Sequence, residues 1–175
     1  MTGQDIIDIL NDDLEKGFRI LMKKYREPVY WHIRRIVVSH EDAADATQET
    51  FVRVFRNIQN YNPDKSLDAW IYRIATNEAL RAKERMKDSM PLDKYVNLWQ
   101  INGEPYTDLT NEATVRLQQA ILTLPEKQQL AFNMRYYDNM SFEDIAEVIG
   151  STWASVKVAY HLATKKIKNY IKENT

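Results

Sequence analysis

Apolar side chains recur every three or four residues through most of the chain, and that spacing predicts helices. Leu14, Phe18, Leu21, Met22 and Tyr25 form the first stripe. Pro28 stands where it would open a second helix, with Val29, Ile33, Ile36 and Val37 turned inward. Ser39 followed by Asp42 has the form of a capping box and starts a third helix. Its inner stripe reads as Ala44, Thr47, Phe51, Phe55 and Ile58, with Asp42, Asp45, Glu49, Arg53 and Arg56 on another face. The segment NYNPDKS, residues 60–66, is a loop by its Asn, Pro and Asp content. Ser66 can cap a fourth helix that buries Leu67, Trp70, Ile71, Ile74 and Ala75 and leaves Arg73, Asn77, Arg81 and Arg85 outside.

The period is lost from about Asp88 to Thr110, where two Pro, one Gly and a single Lys stand against four acids. This stretch reads as a linker between two domains. Tyr95, Leu98, Trp99 and Ile101 make it apolar enough to lie in a groove. Helical spacing resumes at Asn111 with Val115, Leu117, Ile121 and Leu122. Pro125 suits a first helical turn, and Leu130, Met134 and Tyr137 continue that helix. Ser141 with Asp144 repeats the capping-box form.

The stretch from Ser141 to Ala163, SFEDIAEVIGSTWASVKVAYHLA, then reads as two helices joined by a tight turn. Ala146 is the small residue where the helices meet, and Gly150 tolerates the positive φ of the turn. Ile145, Ile149 and Val156 supply contacts across it, and Ser151 or Thr152 caps the second helix. The expected fold class is all-α: two small helical domains joined by a flexible linker, the second containing a helix-turn-helix. The expected boundaries are residues 1–88, 89–111 and 112–175.

Composition removes several alternatives. A hydrophobic content of 44% with ten Tyr supports a core, and only four Gly and five Pro argue against a turn-rich sandwich or barrel. The absence of Cys excludes disulfides and thiolate metal sites, and His32, His40 and His161 lack ligand spacing, so no cofactor is expected. The acidic start is unlike a secretory signal, and no apolar run approaches the roughly 18 residues of a membrane span. A soluble, cytoplasmic protein without membrane insertion is expected.

The net charge of −1 conceals an uneven distribution. From Ser151 onward five Lys face one acid, Glu173. From Arg73 to Lys87 five basic residues face Glu78 and Glu84, whereas HEDAADATQE, residues 40–49, has four acids and no Lys or Arg. Basic and acidic segments of this kind point to more than one class of partner. A helix like that after Gly150 fits the DNA major groove, with Trp153, Ser155 and Lys157 directed outward. Lys165, Lys166 and Lys168 can meet phosphates. The plain alternative is a packed hairpin at the end of a helical domain.

Taken together, three segments resemble the extracytoplasmic-function group of bacterial sigma factors, the small members of the sigma-70 family. DAADATQETFVRVFRNI (42–58) is similar to the family's core-polymerase-binding helix, with its D-A-x-D-x-x-Q-E-x-F pattern. DAWIYRIATNEALRAKER (68–85) is similar to its promoter-melting helix, and residues 124–171 to its C-terminal domain. The resemblance implies an initiation subunit that binds bacterial core RNA polymerase and promoter DNA and has no active site of its own. Asp42, Asp45, Gln48 and Glu49 would then bind core polymerase. Tyr61, Asn62, Lys65, Ser66, Arg73, Asn77, Arg81, Lys83 and Arg85 would hold the melted −10 strand, with Trp70 read as core. Trp153, Ser155, Lys157, Tyr160, Lys165 and Lys166 would read the duplex −35 element, and His161 either reaches a phosphate or is structural. An anti-sigma partner is also implied.

The chain departs from the family at several positions. Arg81 stands near where Asp is common, and Thr76 and Glu84 near where basic residues are common. Val158 and Ala159 replace a frequent Ser-Arg, and Leu162 and Thr164 replace Arg, which weakens the phosphate contribution to binding. No particular promoter sequence is carried over. Competing readings are a free-standing dimeric helix-turn-helix regulator, a protein-binding adaptor or anti-factor, and an α-helical enzyme. The last lacks a Gly-rich phosphate loop, a nucleophile elbow or metal-ligand spacing.

Overall fold

A computed structural model of the chain describes residues 1–37, 39–87 and 112–174. Among them eight α-helices and no strand occur: α1 (Gly3–Asp12), α2 (Leu14–Ile36), α3 (His40–Asn57), α4 (Leu67–Lys87), α5 (Glu112–Leu122), α6 (Glu126–Tyr136), α7 (Phe142–Ile149) and α8 (Trp153–Glu173). A single 3-10 turn, Ile58–Asn60, follows α3. The chain divides into two compact units, Met1–Arg85 and Met86–Thr175. The expected linker, 89–111, lies outside the described residues.

The acidic start forms a helix of its own, which the sequence reading did not anticipate. Thr2 and Asp5 make a reciprocal capping box, and Ile6, Ile7 and Leu10 are buried. One residue later Asp13 caps α2 by accepting from the Lys16 N–H at 3.1 Å. So abrupt a reversal brings the two helices very close. A Cβ on Gly17 would lie 2.6 Å from both the backbone nitrogen and the Cα of Leu10.

Pro28 does not open a second helix; it sits inside α2, which runs 23 residues without interruption. Its missing N–H and ring disfavour a helix interior. The apolar stripe Leu21, Tyr25, Val29, Ile33 and Ile36 is nevertheless buried on both sides of it. Pro28 and Lys24, four residues before it, both lie on the exposed face. Tertiary burial along one side therefore outweighs one lost backbone bond on the other.

The phase of α3 also differs from the expected one. Its buried residues are Ala43, Ala46, Thr47, Thr50, Phe51 and Val54, so Ala44 and Phe55 face outward. Ser39 caps the helix as expected, accepting from the Asp42 N–H and donating its hydroxyl to the Asp42 carboxylate at 2.8 Å.

Helix α4 is pinned to α2 by polar bonds as well as apolar contact. The Tyr25 hydroxyl donates to the Asp68 carboxylate, and burial pushes the Tyr25 phenol up from its ordinary pKa. His32 Nε2 lies 2.7 Å from Thr76 Oγ1, and its ring stacks on Tyr72 at 4.9 Å. Burial, aided by the nearby Arg35 charge, pushes the His32 pKa down to about 3.

In the second unit α5, α6 and α7 all pack on α8. Ala120, Ile121, Leu124, Phe132, Ala163 and Ile167 form one core cluster. Ile145, Ala146, Val148, Val156 and Ala159 close the contact between α7 and α8.

Two stability measurements follow. Gly17→Ala should lower stability by roughly 1–3 kcal/mol, because backbone rather than a mobile side chain opposes the new methyl; a urea midpoint equal to wild type would refute the close approach. His32 is neutral in both folded and unfolded chains above about pH 6.5. Below that, the unfolded chain takes up a proton that the folded chain refuses, so stability should fall by about 1.4 kcal/mol per pH unit towards pH 3. His32→Gln should remove that part of the slope, and matching slopes for both proteins would contradict it.

Candidate nucleic-acid interfaces

On α4, Arg73, Asn77, Arg81 and Arg85 follow one another at steps of four and are all exposed, which makes them one stripe. Asn57, Asn60, Trp70, Arg73, Asn77 and Arg81 line a cleft of about 390 Å3 where the end of α3 meets this stripe. Beneath it lies Glu78, whose side chain is only 9% exposed. Its carboxylate is 2.7 Å from Arg53 Nε and 2.5 Å from an Arg81 guanidinium nitrogen. Arg53 in turn lies 3.2 Å from Glu49. A carboxylate this buried requires such compensation. The result is that two arginines from two helices are held in defined positions at one cleft.

The other expected single-strand residues are placed differently. Tyr61 is 8% exposed, so it is not offered as a stacking face. Its ring packs against Trp70 at 5.3 Å, and its hydroxyl donates to the Lys65 carbonyl, bracing the loop from inside. Trp70 is half-buried, packing on Tyr61 while also lining the cleft. Asn62 Oδ1 accepts the Asp64 N–H at 2.9 Å, a turn-forming bond typical of Asn. Ser66 caps α4 by accepting the Ala69 N–H at 3.1 Å. Lys65 and Ser66 border a separate recess with Thr2, Gln4 and Lys24. Lys83 stands seven residues after buried Thr76, on the α2 side of the helix and away from the arginine stripe.

On α3, Asp45 and Gln48 are exposed, whereas Asp42 and Glu49 are half-buried and engaged with Ser39 and Arg53. Beside this face runs a groove of about 1220 Å3 between α2 and α3, lined by Phe18, Met22, Trp31, Phe51 and Phe55 with Gln48 at its edge. Phe55 is 49% exposed and meets Phe18 edge-on at 5.1 Å. The sequence reading missed this groove because it turned Phe55 inward. Apolar spacing alone does not distinguish two stripes that differ by a single helical step.

In the second unit Gly150 adopts φ 76°, and its N–H and that of Ser151 both bond the Ala146 carbonyl at 2.9 Å. Nothing lies within 4 Å of a Cβ placed there, so backbone conformation alone reserves the position for Gly. Thr152, rather than Ser151, caps α8 by accepting from the Ser155 N–H at 3.1 Å. Trp153 is exposed, and Lys157 Nζ lies 4.9 Å above its ring. Lys165, Lys166, Lys168 and His161 are exposed as well.

Two of the expected groove residues are already occupied. Lys127 of α6 donates to Ser155 Oγ at 2.6 Å and to Ser151 Oγ at 3.0 Å, which adds a cation at the start of α8 that sequence spacing did not reveal. Tyr160 is half-buried, stacked on Phe132 at 6.0 Å and tilted against Phe142 at 5.6 Å. It belongs to an aromatic cluster and not to the solvent face.

Comparison with known proteins bears on both units. The model for Sigma-70 region 2 matches residues 21–88, and that for Sigma-70, region 4 matches residues 114–167. The chain is 27% identical to the ECF RNA polymerase sigma-E factor of Haemophilus influenzae, over 98% of this chain and 96% of that protein. It is 25% identical to the ECF RNA polymerase sigma factor SigW of Bacillus subtilis, over 91% of each. The fold is similar to that of CnrH, solved in complex with the cytosolic domain of CnrY, with a TM-score of 0.76 at 15% identity over 98% of both chains. With both region models matched in order and relatives aligned nearly end to end, the chain belongs to the sigma-70 family, as an extracytoplasmic-function RNA polymerase sigma factor.

Proposed function

We propose that the two units divide the work of initiation, the first docking on core polymerase and holding melted −10 DNA, the second reading the −35 element as duplex. The observation that carries this division is the α3–α4 charge arrangement. One compact unit displays exposed acids on α3 and an arginine stripe on α4, and Glu78 holds arginines of both helices at the cleft. Opposite charges on neighbouring helices suit two different partners, a basic polymerase surface and a nucleic-acid strand.

Asp45 and Gln48 are the freest docking contacts, with Asp42 and Glu49 behind them. The apolar groove beside them is suited to an anti-sigma partner, which would switch the protein off by covering this face. In the cleft, Asn77 can hydrogen-bond an unstacked base while Arg73 and Arg81, with Arg85 one turn further along the stripe, neutralise phosphates. Asn62 and Lys65 act from the loop, Tyr61 by shaping it and Ser66 by capping α4. In the second unit Trp153 and Lys157 enter the major groove, and Lys165 and Lys166 meet phosphates. Ser155 and Tyr160 orient the helix, and the cytoplasm is where these partners are found.

Co-migration with sigma-free core polymerase, followed by permanganate footprinting on pooled promoter DNA, tests the whole. Binding together with a melted patch is expected; tight duplex binding without polymerase would instead favour a free-standing regulator. Asp45→Lys combined with Glu49→Lys should weaken co-migration about tenfold or more while leaving the helical spectrum intact, and unaltered co-migration would remove the docking assignment. Asn77→Ala should dock normally but reduce permanganate reactivity, and normal opening would take Asn77 out of strand capture.

A further inference from the structure

The solvent face of α8 runs through Ala154, Lys157, Val158, His161, Leu162 and Lys165, all exposed, while Val156, Ala159, Ala163 and Ile167 are buried beneath. Val158 is 58% exposed and Leu162 43%. A single exposed apolar residue is ordinary. These two stand four residues apart on one face, with Lys157 beside them and Lys165 one turn on. They contribute little to the core, and their neighbours on the stripe are Ala154 and the cationic or polar Lys157, His161 and Lys165.

Ser155 and Tyr160, two of the hydrogen-bonding residues near them, are engaged within the protein, and Lys157 rests on the exposed Trp153 ring. Ser155 accepts from Lys127, and Tyr160 is packed between Phe132 and Phe142. The middle of the helix therefore presents two alkyl groups, with the His161 imidazole beside them on the same face. On the base edges of the major groove, the apolar group is the thymine C5 methyl. Four residues of helix span about 6 Å, which is less than two base-pair steps of about 3.4 Å each.

We infer that Val158 and Leu162 are specificity-determining residues that read thymine methyl groups at two neighbouring positions of the upstream element. This rests on the proposed role of α8 as the duplex reader. Surrounding lysines supply sequence-independent attraction, and the two alkyl side chains supply discrimination. Binding buries each methyl against Val158 or Leu162, and thymine is selected over cytosine or uracil at those positions.

The test uses the full chain with core polymerase and a promoter selected from a random pool. Each thymine of the upstream duplex is replaced singly by deoxyuridine, which removes only the methyl group. Binding should weaken about fourfold at two adjacent positions, the equivalent of roughly 0.8 kcal/mol for each buried methyl-sized group. Val158→Ala should abolish the thymine–uracil difference at one position and Leu162→Ala at the other, each leaving its neighbour's difference in place. Deoxyuridine tolerated throughout a promoter that still binds and opens would overturn the methyl reading while leaving α8 as duplex reader. Indifference to the entire upstream sequence would fail α8 as a reader. Variants that keep the thymine–uracil differences but lose affinity for core polymerase would make this face a protein-docking surface and overturn the inference.

Discussion

The buried stripe of α2 is the constraint on which the first unit depends. Gly17 lets α1 lie against it at backbone distance, Tyr25 ties it to Asp68, and His32 ties it to Thr76 one helix away. Burial on the scale of five large apolar side chains, at roughly 1.5–3 kcal/mol each, is enough to carry the helix through Pro28. If α2 broke at that residue, its two halves could reorient, and α3 and α4 would lose their common support. The acidic face and the arginine stripe are thus consequences of an uninterrupted core helix.

Charge in this unit serves placement more than stability. Exposed ion pairs such as Arg19 with Glu15 contribute little. Glu78 differs because its carboxylate is nearly withdrawn from water and is met by arginines from α3 and α4. Removing either partner would leave a poorly solvated charge, so the arrangement specifies where Arg53 and Arg81 stand. The cleft beside the arginine stripe is consequently defined in the free protein, and a ligand bound there would require less ordering of its side chains.

The second unit achieves comparable definition with small devices. Gly150 turns the chain by adopting a left-handed conformation, Thr152 caps the helix that follows, and Ala146 permits close contact at the joint. Lys127 reaches from α6 to two serines at the start of α8 and fixes a cation there. The polar residues nearest the expected groove are thereby partly engaged within the protein. Val158 and Leu162 are left exposed on the same helix, and the proposed discrimination falls to them.

Local signals in the sequence accounted for much of this structure. Ser39, Ser66, Ser141 and Gly150 perform the capping and turning roles that their chemistry predicts, since those roles depend only on near neighbours. Spacing also placed Arg73, Asn77, Arg81 and Arg85 on one exposed stripe, because steps of four always share a helix face. Other features depended on contacts distant in sequence. Pro28 was overridden by burial along both halves of α2, and Phe55 was exposed by a small rotation of α3 that its partners determine. Tyr61 and Tyr160 were turned inward by aromatic neighbours, and Lys127 meets Ser155 across 28 residues of chain. Most helix positions and the α4 charge stripe were thus legible from the sequence, being governed by local periodicity. The separate helix α1 and the continuity of α2 through Pro28 were not. Which side chains remain free to touch a partner was decided by tertiary packing, because burial and long-range bonds assign each side chain its neighbours.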